Sequence, residues 1–267
     1  MQIRDTMVAL EGGVAVEVRR IRHIDGRRDG EQRPTLVFLH ESLGSIALWR
    51  RFPERLAKAT GFDALIYNRL GYGQSSDEPL PRPYGYQEKE GEVLLPALLD
   101  ELGIDDVVLI GHSDGGSIAL IAAGALGARV RALATMAAHI YADHLTIAGI
   151  REMAVRYRET DLRDKLQRYH GDRTDDLFNA WQSVWLDEGF QAYMNFERWL
   201  AAIQCPSMII QGEDDEYGVP EQVTDIVAGI GPTAQAVFLP EVGHSPHLEK
   251  PDQVLELICD FLLRETA

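Results

Sequence analysis

Short apolar runs, each followed by a segment that suits a helix, restrict this chain to few folds. They are Thr35–Leu39, Ala64–Tyr67, Val107–Leu109, Val130–Met136, Ser207–Ile210 and Ala236–Leu239. A run of this length without polar alternation is a strand buried on both faces, which is the state of strands in a parallel sheet. The intervening segments read as helices at about 47–60, stopped by Gly61, at 86–102, closed by Gly103, at 117–123, at 220–230 and along the stripe 254–262. Strand and helix in strict alternation predict a mostly parallel sheet wrapped on both faces by helices. Ahead of the first run, residues 7–24 alternate around Gly12-Gly13 and predict an antiparallel hairpin. The polar stretch 23–34, with Arg27-Arg28-Asp29-Gly30, reads as a solvated loop.

The rhythm breaks once. Between about 142 and 201 no strand-like run occurs, while helix formers, charges and aromatics (Phe178, Trp181, Trp185, Phe190, Phe196, Trp199) are dense. Several amphipathic helices inserted between two strands account for this, and such a piece suits a lid over an apolar pocket. About half of its rings are expected to form the lid's own core. The expected division is a core of 1–141 and 202–267 interrupted by a helical cap of 142–201.

With 267 residues the chain suits one large domain carrying an insertion. Its formal charge of −16 argues against nucleic acid or anionic membrane surfaces as partners, since both call for basic patches. Anionic substrates would need a local exception. Cys205 and Cys259 form no C-x-x-C pair and read as reduced core residues. The opening six residues are too polar for a signal peptide, and no apolar run reaches the length of a membrane span, so a cytoplasmic protein is expected.

The run at 107–110 breaks directly into Gly111-His112-Ser113-Asp114-Gly115 and then into a helix. A strand, a sharp turn through serine and a helix form a nucleophile elbow: the hydroxyl is lifted clear of the strand end, and the glycines let two backbones approach. The helix start aims N–H groups at any anion that forms beside the serine. Ser113 is the candidate nucleophile. His244, in Gly243-His244-Ser245-Pro246-His247, is the candidate base, with His247 as its nearest competitor. The acidic run Glu213-Asp214-Asp215-Glu216 past another strand end supplies candidates for a third group.

Nucleophile, acid and histidine in that chain order match the α/β-hydrolase arrangement. Together with Arg69-Leu70-Gly71-Tyr72-Gly73-Gln74-Ser75 and Gly212-Glu213-Asp214-Asp215, the sequence resembles the α/β-hydrolase fold superfamily, in its branch of small cap-bearing serine esterases. The resemblance runs over nearly the whole chain outside the cap. It implies Asp215 as the acid that orients His244, with Asp214 the alternative, and an oxyanion hole made of the backbone N–H groups of Asp114 and Ser42. The side chain of Asp114 is expected to be incidental, and the Arg69–Ser75 loop structural.

The sequence departs from the family pattern at Glu41, where a glycine normally follows the strand-end histidine. A carboxylate beside a growing oxyanion would raise the barrier unless it turns away or is paired. Arg69 is the expected partner, against an exposed Glu41. Leu43, His139 and Ile140, like Glu41, are candidates to line the substrate pocket. No metal-ligand spacing, phosphate loop or dinucleotide fingerprint occurs, so no metal or cofactor is implied. The expected activity is hydrolysis of a carboxylic ester or related acyl bond in a small, partly apolar substrate. Carbon–carbon hydrolysis of a ring-cleavage product, lactone or perhydrolase chemistry, and a non-catalytic binding receptor are the alternatives; oligomeric state is left open.

Overall fold

In the computed structural model, which describes residues 1–23 and 33–266, the chain opens with an antiparallel pair, β1 (Gln2–Ala9) and β2 (Ala15–Arg22). Of the arginine-bearing loop expected at 23–34, residues 24–32 lie outside the described residues. There follow β3 (Thr35–Leu39), α1 (Phe52–Thr60), β4 (Ala64–Tyr67), α2 (Tyr86–Lys89), α3 (Leu95–Glu101), β5 (Val107–His112), α4 (Asp114–Leu126) and β6 (Val130–Met136). Helices α5 (His144–Glu159), α6 (Leu162–His170), α7 (Thr174–Trp185), α8 (Glu188–Tyr193) and α9 (Glu197–Leu200) then intervene before β7 (Ser207–Gly212). The chain closes with α10 (Glu221–Ile230), β8 (Ala234–Leu239), α11 (Pro246–Glu249) and α12 (Pro251–Glu265).

The strands form one sheet in the order β1-β2-β4-β3-β5-β6-β7-β8, parallel from β4 onward. Alternate residues of the buried strands serve two cores, as the period of two requires. Val37, Leu39, Leu65, Leu109 and Ile209 pack with α3, α4, α10 and the inserted helices. Leu36, Phe38, Ile66, Ile110 and Ile210 pack with α1 and α12 on the opposite face. Leu39 pairs with Gly111, Gly111 with Thr135, and Thr135 with Ile209. This register brings the carboxyl ends of β3, β5, β6 and β7 to a single edge, where open parallel sheets place their ligands.

Three expected elements differ in detail. The helix expected from 47 begins at Phe52, preceded by a tight turn at Ile46–Trp49 and a break at Arg50, whose φ is 52°. Pro53 is the reason: it sits well in a first turn, but in a helix interior its ring would strike the carbonyl of Trp49. The helix expected over 86–102 carries a π-helical turn at Glu90–Leu94 ahead of Pro96, which loosens the hydrogen-bond ladder in the same way. The hairpin starts at Gln2, since its polar edge strand is held by backbone pairing and by Asp5–Arg19 contacts rather than by an apolar pattern. Among the described residues no helix is long and apolar enough to cross a membrane.

Candidate active site

Ser113 sits between β5 and α4 with φ 53° and ψ −121°, a conformation that costs a non-glycine residue about 1–3 kcal/mol. Its N–H is tied to the Met136 carbonyl at 2.8 Å, so neighbouring β6 holds the strained turn in place. The flanking glycines are there for contact. A Cβ on Gly111 would stand 2.3 Å from the Gly115 oxygen, and one on Gly115 would stand 2.1 Å from the Leu39 oxygen. No larger residue lets α4 start this close to β5 and β3.

The loops after β7 and β8 bring the other candidates to the same point. The Ser113 hydroxyl donates to His244 Nε2 at 2.9 Å, and His244 Nδ1 donates to Asp215 Oδ1 at 2.8 Å. The same carboxylate oxygen accepts the Tyr217 N–H at 2.9 Å. Burial alone would lower the His244 pKa, but the Asp215 carboxylate beside it raises it above the ordinary imidazole value. Burial opposes the charge on Asp215 too, and His244 with the Tyr217 N–H nevertheless holds that carboxyl below its usual value. Asp214 is exposed, and its N–H is bound to the Val242 carbonyl; it does not take the acid's place.

His244 is fixed from several sides. Its N–H donates to Glu216 and its carbonyl accepts from His112 Nε2 at 2.8 Å, while the N–H groups of Gly243 and Ser245 both donate to Glu249. His247 packs its ring against Trp49, Phe52 and His112 in the core, where burial depresses its pKa well below the ordinary value. It is a packing residue.

Two expectations about charged neighbours need correction. The Asp114 side chain is not incidental: it is 1% exposed and accepts from Arg69 Nη1 at 2.6 Å, Tyr86 Oη at 2.6 Å and Gln87 Nε2 at 2.8 Å. Arg69 therefore pairs with Asp114 rather than with the Glu41 carboxylate, and its Nη2 donates to the carbonyls of His40 and Glu41. The reason is burial: Arg69 is 3% exposed, and its charge is compensated by the equally buried Asp114. Nor is Glu41 fully exposed. Its side chain is about a quarter accessible, with Oε2 at 3.5 Å from His112 Nδ1. Desolvation works against its charge, and His112 outweighs it, holding the carboxyl down to about 2. Gly44 leaves the room, since a Cβ there would fall 2.4 Å from Glu41 Oε2.

Around Ser113 lies a cavity of about 230 Å³. Glu41, Ser42, Leu43 and His139 line it, together with Thr146, Ile150, Met153, Trp181 and Trp185 from α5 and α7. Burial lowers the His139 pKa, and its Nε2 donates to the Tyr217 carbonyl, so it enters the cavity as a neutral ring. Ile140 does not line the cavity. It is buried in the core with its N–H donating to Gln222, because neighbouring side chains in this non-helical stretch leave in different directions. Ser42 lines the cavity, and its carbonyl accepts from Tyr72 Oη. The first N–H groups of α4, beginning with Asp114, have no partner inside the helix.

The sequence model of the alpha/beta hydrolase family matches residues 36–257. The chain belongs to that family. This alpha/beta hydrolase is 28% identical over 260 residues to a 2-hydroxy-6-oxononadienedioate/2-hydroxy-6-oxononatrienedioate hydrolase of Cupriavidus pinatubonensis, covering 87% of the chain and 88% of the relative. It is 27% identical over 210 residues to the human serine hydrolase BPHL, covering 75% of the chain and 69% of the relative. Its fold matches a meta-cleavage product hydrolase from Pseudomonas fluorescens IP01 with TM-score 0.75 at 16% identity, covering 97% of each chain. The enol-lactonase from Burkholderia xenovorans LB400 gives TM-score 0.74 at 18% identity, covering 96% of this hydrolase and 99% of the neighbour.

Several participants in the site were not picked out from the sequence. Tyr86 and Gln87 join Arg69 at Asp114, and Thr146, Ile150 and Met153 line the cavity beside Trp181 and Trp185, while Phe178, Phe190 and Phe196 are buried in the core. The aromatic density of 142–201 was the available signal; it does not say which ring faces which way.

Proposed function

We propose that the chain is a serine hydrolase that cleaves a carboxylic ester, or a related acyl bond, of a small and partly apolar substrate. The observation that carries this reading is the unbroken relay from Ser113 Oγ through His244 to Asp215, at 2.9 Å and 2.8 Å, opening on a cavity with apolar walls. His244 Nε2 takes the hydroxyl proton as Ser113 Oγ attacks the substrate carbonyl carbon. The negative charge that forms on the carbonyl oxygen is held by the N–H groups of Asp114 and Ser42. The imidazolium, stabilised by Asp215, gives its proton to the departing alcohol. Water then enters, His244 takes one of its protons, and attack on the acyl carbon releases the acid and restores Ser113.

The core of 1–141 and 202–267, with a cap of 142–201, goes with this reading: the first holds the reacting groups and the second shapes the cavity. Carbon–carbon hydrolysis is the second reading, favoured by the 28% identity to the Cupriavidus enzyme. Against it, the described residues that line the cavity include no lysine or arginine to meet a dicarboxylate.

The test is labelling by a fluorophosphonate followed by peptide mass spectrometry. One adduct per chain, on Ser113 and lost in Ser113→Ala, is expected; absence of an adduct refutes the serine hydrolase and leaves a binding receptor. A p-nitrophenyl ester chain-length series, with turnover compared to that of a vinylogous diketone acid, then separates ester from carbon–carbon cleavage.

A further inference from the structure

Among the described residues, the cavity beside Ser113 is lined by two carboxylates, Glu41 and Glu216, and by no lysine or arginine. Its remaining walls include the aromatic side chains of Trp181, Trp185 and Tyr217, whose faces attract cations. We propose that this cavity selects substrate by charge, admitting esters that carry an ammonium group and turning away those that carry a carboxylate, with Glu41 as the residue that sets the preference. The proposal deepens the serine-hydrolase reading and rests on it.

Glu41 follows directly on β3 and the buried His40, next to the proposed oxyanion donor Ser42, so its charge stands within reach of a substrate bound at Ser113. Among the described residues no lysine or arginine is paired with its carboxylate. The nearest strong cation, the Arg69 guanidinium, is bound to Asp114 and to two backbone carbonyls. Among the described residues, the one lysine, arginine or histidine nitrogen within 4 Å of the Glu41 carboxylate is His112 Nδ1, at 3.5 Å. Glu216 has one oxygen near the His244 N–H and remains exposed at the cavity wall. His139 is held neutral by burial and supplies no balancing charge.

The long-range field acts in the same direction. A formal charge of −16 draws cations toward the protein and repels anions, and a cleft with low-dielectric walls focuses that field. A substrate carboxylate in the cavity would meet Glu41 across a poorly screened gap, with no guanidinium or ammonium among the described lining residues to receive it. An ammonium group would meet a carboxylate and aromatic faces.

Three fluorophosphonate probes of equal tail length test this, ending in trimethylammonium, in its neutral tert-butyl isostere, and in carboxylate. The second-order rate of Ser113 labelling is expected to fall in that order. The cationic and anionic probes should differ by about 100-fold, as unlike and like charges near one fixed carboxylate require. In Glu41→Gln the ratio of those two rates should shrink at least about fivefold, whatever happens to the absolute rates. Glu216→Gln should shrink it less, and it serves as the reporter should Glu41→Gln fail to fold. Equal rates for the three probes, or faster labelling by the carboxylate, overturn the charge selection while leaving the hydrolase intact. An unchanged ratio in a folded Glu41→Gln overturns the role given to Glu41. Labelling by none of the probes refutes the serine hydrolase, and the charge selection falls with it.

Discussion

Breaking the Arg69–Asp114 pair should cost more stability than any surface substitution in this chain. The two side chains are 4% and 0% exposed and meet at 2.6 Å, and the carboxylate also accepts from Tyr86 and Gln87. In Arg69→Met the carboxylate keeps two neutral donors and loses the cation that balanced it. Removing one member of a buried pair costs about 3–5 kcal/mol, because the charge left behind is neither hydrated nor compensated. At about 2–4 °C per kcal/mol for a chain of this size, Tm should drop by about 6–20 °C. Asp114→Asn should fall in the same range, since it keeps the shape and leaves Arg69 facing an amide. The double variant, with no buried charge at this point, should be less damaged than the sum of the two single losses by about 2 kcal/mol. Urea unfolding followed by circular dichroism measures all three, with the m-value serving to check that the unfolded state is unchanged. Single losses below about 1 kcal/mol that simply add in the double variant would refute the assignment of this pair as the anchor behind the elbow.

The remaining predictions concern the elbow and the relay. Ser113→Ala should reduce ester turnover by about a million-fold, measured with a p-nitrophenyl ester. Ser113→Gly should be equally inactive yet about 1 kcal/mol more stable than Ser113→Ala, because at φ 53° and ψ −121° glycine alone is unstrained; equal Tm values would contradict this. His244 must be unprotonated to act as base, and its pKa is raised, so kcat/KM should fall as pH drops through a value above the ordinary imidazole range. Asp215→Asn removes the carboxylate that raises it and leaves burial, which lowers it. The acid limb of the pH profile should therefore move to lower pH while kcat falls about 10⁴-fold, and a limb that stays in place would argue against Asp215 as the partner. Gly115→Ala places a Cβ 2.1 Å from the Leu39 oxygen and should cost more than about 3 kcal/mol or prevent soluble expression, judged by thermal unfolding.

Much of the fold was legible because parallel strands advertise themselves. A strand covered on both faces has no polar alternation, so Thr35–Leu39 and Val130–Met136 were readable as strands with their bounds intact. Elements governed by proline were less readable. Pro53 and Pro96 lie in segments whose apolar spacing suits a continuous helix, and the breaks they impose depend on the carbonyl four residues earlier, which the spacing does not show. At the site, Ser113, Asp215 and His244 could be named in advance because each lies shortly past the end of a strand of the same sheet, the family resemblance choosing Asp215 over Asp214. The juxtaposition then needs no further information than the rule that such strand ends share an edge.

What the linear order of residues determined by itself was therefore the sheet, the elbow and the three side chains that meet above it, all consequences of local patterns a few residues long. The tertiary structure alone decided which charge answers which. Arg69 could have met Glu41 or Asp114; it meets Asp114, which lies 45 positions away, because only there are both groups withdrawn from water and in need of each other. That choice leaves the Glu41 carboxylate at the cavity wall, and the crossing of α7 over the same cavity selects Trp181 and Trp185 from an aromatic-rich stretch to face it. Pairing between distant charges and the direction of a ring depend on packing across the whole molecule, and no window of the sequence contains both partners.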